Sequence, residues 1–335
     1  MYTRDPPRYT PHADHVQAER VPPAEASLDD ATALAALRSG DAEQIRRVVT
    51  AWTPSMLRVA RVHTRSDALA EDVVQDSWIT VLTSLDKFEG RSALRTWVLG
   101  IVVNRARRAG VRERRVLPFS ATGMADRADL RAAAVDGARF GPDGAWVSPP
   151  VHWEEWPEER LAATELRDVI EAALTTLPMR QRAVVTVRDI LGLSAEDVEA
   201  LYGLSAANQR VLLHRARAKL RTVVERYAAG EPVEGAITPL GIRGRAARPP
   251  RGDSAIACKQ LVELVDDYLD GSLRDELRSK VVEHLPSCEH CDGYVDQVRR
   301  VLDVTSGLSG DAGDDVLMRL LDAVRGTRPS SITAA

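Results

Sequence analysis

From Leu28 to about Arg115, apolar residues recur at three- and four-residue spacing almost without a break, which predicts helices that each bury one face. LDDATALAALRSG carries Asp residues in its first turn and stops at Gly40, a helix exit. Asp41 then caps DAEQIRRVVTAWTPSMLRVARVHT, in which Ile45, Val48, Val49, Trp52, Met56, Val59 and Ala60 fall on one side. Pro54 is expected to bend or divide that segment. Ser66 or Asp67 caps a third helix, SDALAEDVVQDSWITVLTSLDKF, whose buried face is Leu69, Val73, Val74, Trp78, Val81, Leu82 and Leu85. A fourth, ALRTWVLGIVVNRARRAGVRERR, starts near Ser92.

The pattern then fades over 116–158, a Gly-, Pro-, Ala- and Asp-rich stretch that reads as a net-acidic linker. Trp146, Trp153 and Trp156 suggest that it touches something, either a partner or its own domain. Helical periodicity resumes over 159–228 in EERLAATELRDVIEAALTTL, PMRQRAVVTVRDILG, SAEDVEALYG and SAANQRVLLHRARAKLRTVVERY. A Gly/Pro/Arg-rich tether follows at 229–255, then a small helical unit at 256–308. The lead 1–27 is polar and Pro-rich and reads as disordered. The tail 309–335 offers one short amphipathic helix, Val316 to Val324. The expected class is all-α: two helical modules on a flexible linker, plus a third, smaller one.

Composition supports this. Of 335 residues, 44% are hydrophobic and only 4% aromatic, with Ala, Arg, Val and Leu dominant, which favours helices over sheets. The most apolar run, WVLGIVV, is far short of the ~20 residues that span a bilayer, and no secretory leader opens the chain. A soluble, cytoplasmic protein without membrane contact is expected. Three cysteines, two of them close together, fit metal or redox chemistry in a reducing compartment better than a disulfide scaffold.

In LSAEDVEALYGLSAANQRVLLHRARAKL, Ser194 caps a short helix with Asp197 in the capping-box position, and Gly203 ends it. Ser205 caps a second helix, completing a helix-turn-helix pattern. The second helix carries Arg210, Arg215, Arg217, Lys219, Arg221 and Arg226 against one acid, Glu225. Early residues of such a helix reach base edges, which nominates Ala207, Asn208, Gln209 and Arg210, while Arg215, Arg217 and Lys219, with His214 alongside, face the phosphates. The competing reading is an ordinary solvated basic helix.

A second basic run, RARRAGVRERR, holds six arginines between Arg105 and Arg115 and follows the aromatic Phe88 and Trp97. Aromatics beside arginines can stack on unpaired bases, although Phe88 and Trp97 taken singly also suit a core. EDVVQDSWITVLTSLDKFEGRSALRTWVLGIVVNRARR together with LPMRQRAVVTVRDILGLSAEDVEALYGLSAANQRVLLHRARAKL resembles the extracytoplasmic-function (ECF) group of sigma-70 family factors. The resemblance covers about Leu28 to Tyr227 and implies a promoter-recognition subunit of bacterial RNA polymerase, not an enzyme. It implies that Asp72, Gln75, Asp76 and Trp78 dock on core polymerase. It implies that Arg91, Arg95, Trp97, Asn104, Arg105, Arg107 and Arg108 line the surface that melts and reads the −10 element. The helix-turn-helix would read the −35 element, and the linker would thread toward the RNA path. Asn208 and Gln209 stand where many relatives have a Thr-Val pair, and the linker is longer than in compact members, so the promoter sequence does not transfer.

In the third unit, Cys258, His284, Cys288 and Cys291 form a Cys3His set in the spacing C-x25-H-x3-C-x2-C. H-x3-C puts two ligands one helical turn apart, and C-x2-C presents two thiolates to one ion, as one structural zinc requires. His290 is the alternative nitrogen, but it abuts Cys291 in sequence. A redox pair lacks the surrounding βαβ pattern, a catalytic zinc lacks a paired base, and coincidence remains open. The spacing, with DDYLDG between, also resembles the zinc-binding anti-sigma domain, here fused to the factor that it would control. Residues 256–308 carry eleven acids against six bases, so an intramolecular contact with the basic modules is expected. The alternative is a stand-alone helix-turn-helix regulator with a structural zinc unit.

Overall fold

The computed structural model describes residues 28–116, 135–150, 163–230, 256–308, 317–319 and 321; for 114–116, 163–164 and 228 it describes the backbone alone. Among the described residues there are helices, turns and a single β-bridge, between Phe140 and Trp146. None of the helices is long and apolar enough to cross a membrane.

The first module contains α1 (Asp30–Ser39), α2 (Ala42–His63), α3 (Asp67–Ser84) and α4 (Leu94–Val116). Asp29, Asp41 and Ser66 cap α1, α2 and α3 by accepting first-turn N–H groups, a role that suits short oxygen-bearing side chains. The cap of α3 is therefore Ser66 rather than Asp67. Helix α2 runs through Pro54 unbroken. Trp52, Met56 and Leu57 are fully buried on either side of it, so tertiary packing holds the helix where the missing N–H would loosen it. Asp30 reaches across from α1 and accepts the N–H groups of Leu94 and Arg95, capping α4 from outside that helix.

The second module contains α5 (Ala163–Thr176), α6 (Met179–Val185, continuing into a π turn, Thr186–Ile190), α7 (Ala195–Tyr202) and α8 (Ala206–Ala228). The Ser194–Asp197 capping box is formed, and Gly203 leaves α7 at φ 66°, a left-handed conformation that glycine adopts without steric cost. The two modules share one apolar core. Between them, Thr96 Oγ1 donates to Asp197 Oδ1 at 2.7 Å, Arg182 Nη2 donates to the Val62 carbonyl at 2.7 Å, and Arg58 pairs with Glu171 at 3.0 Å.

The third unit contains α9 (Cys258–Leu269), α10 (Asp275–His284) and α11 (Glu289–Ser306). Leu261, Val262, Val265, Val281, Leu285, Tyr294, Val295 and Val298 are buried at its centre. Its core continues into Ala218 of α8 and into Val135 and Trp146, while Val301 in α11 and Leu308 just beyond that helix join the core of the first two modules. The stretch 135–150 is not featureless linker: it folds back on itself and packs into this unit. Of the tail helix expected over 316–324, residues 317–319 and 321 are described and helical; Leu321 is buried, and Arg319 Nη2 pairs with Glu71 of α3 at 2.8 Å. Trp153, Trp156 and the tether 231–255 lie outside the described residues.

Candidate nucleic-acid interface and metal centre

Helix α8 begins at the cap Ser205, leaving Ala207, Asn208 and Arg210 exposed in its first turns. Gln209, expected at a base edge, is instead 2% exposed: its amide donates to the Ala195 and Leu204 carbonyls, holding the turn between α7 and α8. Arg217, expected on the phosphates, is 1% exposed. Its guanidinium makes a two-bond fork with Asp189 of the π turn, Nε to Oδ2 at 2.9 Å and Nη2 to Oδ1 at 2.6 Å. In this arrangement both side chains serve the protein rather than an exposed surface. Arg215 and Lys219 are half-buried.

The face of α8 that carries Arg210, His214 and Arg217 is covered by an acidic edge of α9. Asp266 accepts from Arg217 Nη1 at 2.7 Å and from His214 Nδ1. Asp270 accepts from Arg217 Nη2 at 3.3 Å, and Asp267 pairs with Arg210 at 3.2 Å. Burial opposes the charge on Asp266, but the Arg217 charge and the His214 hydrogen bond outweigh it, so the carboxyl titrates below the usual aspartate range. Burial also opposes the Arg217 charge, and Asp189 and Asp266 overcome it, holding the guanidinium firmly protonated. Further along α8, Arg221 donates to Glu225 and to Gln297 of α11 and lies over the Tyr294 ring at 4.9 Å.

In the first module, Asp72, Asp76, Asn104, Arg105 and Arg108 line one groove between α3 and α4. Asp76 and Arg105 pair across it at 3.2 Å. Asp72 is exposed and Gln75 half-buried, whereas Trp78 is fully buried and donates its indole N–H to Thr53 Oγ1 at 3.0 Å. Trp78 therefore belongs to the core of the module rather than to its docking face. Arg91 is exposed beside Glu89, and Arg95 reaches Ser55 at 2.9 Å. Trp97 is half-buried against Phe88, with ring centroids 5.5 Å apart. Arg107 and Arg108 are exposed, and Arg107 lies over the Tyr202 ring at 5.0 Å, a cation–π contact between the first two modules.

Cys258, His284, Cys288 and Cys291 converge. All four are buried, and their ligand atoms lie within 4.8 Å of one another; His290 is not among them. Cys258 Sγ is 3.8 Å from Cys288 Sγ and 3.9 Å from His284 Nε2. Bonds of about 2.3 Å to a tetrahedral zinc put two sulfurs roughly 3.8 Å apart, so the Cys258–Cys288 edge already fits the ion and no other pair of ligand atoms has to close by more than about 1 Å. Among the described residues Nδ1 of His284 meets no hydrogen-bond partner, and its Nε2 faces the Cys258 sulfur. Hydrogen bonds from Cys258 and Cys291 push the Cys288 thiol down toward thiolate, the form that binds metal, while hydrogen bonds to Cys258 and Cys288 push the Cys291 thiol up, so the clustered sulfurs titrate together rather than singly. The donor set therefore fits zinc. With four protein ligands no position remains for water, so a bound ion would fix the unit and not catalyse.

Two paired modules, one with a helix-turn-helix, define a sigma-70 type of transcription factor, and family comparisons agree. The model "Sigma-70 region 2" matches residues 48–116, "Sigma-70, region 4" matches 167–220, and "Putative zinc-finger" matches 258–291. An "ECF RNA polymerase sigma-E factor" of Salmonella typhimurium is 30% identical over 154 residues, 46% of this chain and 73% of that protein. The factor of the same name in Escherichia coli K12 is 29% identical over the same shares, and a "Probable RNA polymerase sigma factor" of Haemophilus influenzae is 28% identical over 51% of this chain and 84% of its own length. The chain belongs to the ECF group of RNA polymerase sigma factors and carries, in addition, a fused zinc-finger-type unit.

Proposed function

We propose that this sigma factor is a cytoplasmic, non-enzymatic initiation factor held closed by its own zinc-bound C-terminal unit. Asp72, Gln75 and Asp76 serve core polymerase. Arg91, Arg95, Trp97, Asn104, Arg105, Arg107 and Arg108 serve the separated strands of the −10 element. Ala207, Asn208, Arg210, Arg215 and Lys219 serve the −35 duplex, with Gln209 and Arg217 shaping the helix that presents them. Zinc on Cys258, His284, Cys288 and Cys291 stabilises a unit of about 50 residues whose own core is thin. The observation that carries the reading is Asp266, buried against Arg217 and His214 of the DNA-reading helix.

Distance supports it as well. Elements about 25 base pairs apart at about 3.4 Å per pair are separated by roughly 85 Å. Readers joined by the Thr96–Asp197 hydrogen bond cannot engage both at once. Opening is therefore required for initiation, and the unit at 256–308 opposes it. Run-off transcription with core polymerase tests this: deletion of Ile256 to Ala335 should raise promoter-directed product. Equal or lower product from the truncated, folded protein would overturn the inhibitory reading, and no specific product from either form would overturn the sigma role.

A further inference from the structure

The stretch 135–150 makes contacts that a connecting linker does not need. Gly141-Pro142-Asp143-Gly144 is a β-turn closed by Gly144 N–H to the Gly141 carbonyl at 2.9 Å, with proline at its second position. Phe140 and Trp146 bridge across it, 4.3 Å between centroids, and Val147 N–H donates to the Arg139 carbonyl at 2.8 Å. The hairpin is seated on α9: Lys259 N–H donates to the Gly144 carbonyl at 3.0 Å. Gly144 has φ +74°, and a Cβ there would meet Ala257 Cβ at 2.9 Å, so only glycine fits this approach. Arg139, buried, pairs with Glu225 of α8 at 3.5 Å. Trp146 is 0% exposed, packs on Tyr294 of α11, and directs its indole N–H to Cys291 Sγ at 3.3 Å.

The geometry points to Trp146 as a positioning residue of the zinc site, by which metal occupancy and capture of the inter-module hairpin are coupled. Groups that hydrogen-bond a metal ligand fix its orientation and tune its donor strength. Here that group comes from the connector between the two DNA-reading modules rather than from the zinc unit. The hairpin thereby becomes the fourth wall of the metal site, covering the Cys291 sulfur. Coupling of this kind is reciprocal: if the docked hairpin tightens metal binding, bound metal tightens hairpin docking by the same factor. Zinc then holds the linker folded on the C-terminal unit, where it cannot extend between the modules. The inference rests on the zinc reading of the four ligands but not on transcriptional inhibition.

The test uses full-length protein loaded with Co2+ in place of zinc. Trp146→Phe keeps the ring and removes the N–H. Loss of that donor raises the energy of the Cys291 lone pair, so the sulfur-to-cobalt absorption should move to longer wavelength with the tetrahedral visible bands retained. Metal affinity against a chromophoric chelator should fall about 10- to 100-fold, the usual effect of losing such a partner. Gly144→Ala, which leaves the Trp146 N–H and all four ligands in place, should loosen the hairpin, seen as faster hydrogen exchange at the Val147 and Gly141 amides, and should weaken metal binding in parallel. An unshifted band with wild-type affinity in Trp146→Phe would overturn the proposal, as would a freed hairpin with undiminished affinity in Gly144→Ala. Failure of the wild-type chain to take up Co2+ would overturn the zinc reading itself and this inference with it.

Discussion

Asp266→Asn puts the closed arrangement to its sharpest test. The substitution keeps the side chain's size and one carbonyl oxygen but removes the charge that Arg217 and His214 both address. Breaking a buried ion pair outright typically costs about 3–5 kcal/mol. Arg217, however, keeps its fork to Asp189 and its contact with Asp270, so no buried charge is stranded. The loss is better set by one charge-assisted hydrogen bond, about 2 kcal/mol, which shifts the open-to-closed ratio roughly 30-fold. The assay is anisotropy of a labelled generic duplex at low salt, where backbone contacts dominate binding. Because apparent affinity scales with the open fraction, the dissociation constant should fall by up to about 30-fold. The dependence of affinity on salt should also steepen, by about one unit of slope for each additional phosphate that the uncovered helix neutralises. A double-mutant cycle with His214→Ala should show non-additivity, since the two side chains share a hydrogen bond. A change below about twofold in a folded, zinc-loaded Asp266→Asn protein would refute the reasoning.

Other outcomes follow from the same contacts. Cys288→Ser should lose stoichiometric zinc and, with it, cooperative unfolding of residues 256–308, checked by metal analysis and circular dichroism. Trp78→Phe removes a buried hydrogen bond to Thr53 and should lower stability by about 1 kcal/mol without a direct loss of core-polymerase affinity, whereas Asp72→Arg should weaken polymerase pull-down at unchanged melting temperature. Ser194→Ala should cost about 1 kcal/mol through loss of the α7 cap, read as a lower melting temperature. The Asp266 carboxyl is held below its ordinary 3.8 when docked, so the undocked state binds more protons in acid. Docking is therefore fully present above that value and fades as pH falls through the docked one, which hydrogen exchange along α8 would follow.

Periodicity made the helices legible because each buries one face, and caps such as Asp41, Ser194 and Ser205 mark their starts by local chemistry alone. The candidate Cys3His cluster was equally legible, since Cys and His at those spacings have few other uses. Exposure was not. Arg217 and Lys219 look alike on a basic helix, and only the fold supplies the Asp189 that draws Arg217 inward. Gln209 likewise has the look of a base reader until the turn carbonyls of Ala195 and Leu204 are placed beside it. The hairpin at 139–147 did leave a signal, a Pro-Asp-Gly turn between Phe140 and Trp146. Composition averaged over the whole of 116–158 diluted it, and its anchor, Cys291, lies 145 residues further on.

In the proposed switch, the acidic edge of α9 and the hairpin act on the same equilibrium from two sides. One covers the face of α8 that carries Arg210, His214 and Arg217, and the other ties the connector between the modules to the unit at 256–308. On the reading proposed above, polymerase and promoter bind the extended form, so their apparent affinity scales with the fraction of molecules that are open. With about 2 kcal/mol from Asp266 alone, one contact already imposes roughly a 30-fold reduction. A signal need not dismantle the closed state, because removing any one contact of that size restores more than a decade of activity. The exposed Arg210–Asp267 pair is a poor control point, as solvent and salt already screen it. The buried contacts are better ones: Asp266 with Arg217, and Trp146 with Cys291, each concentrate their effect in one side-chain bond shielded from water.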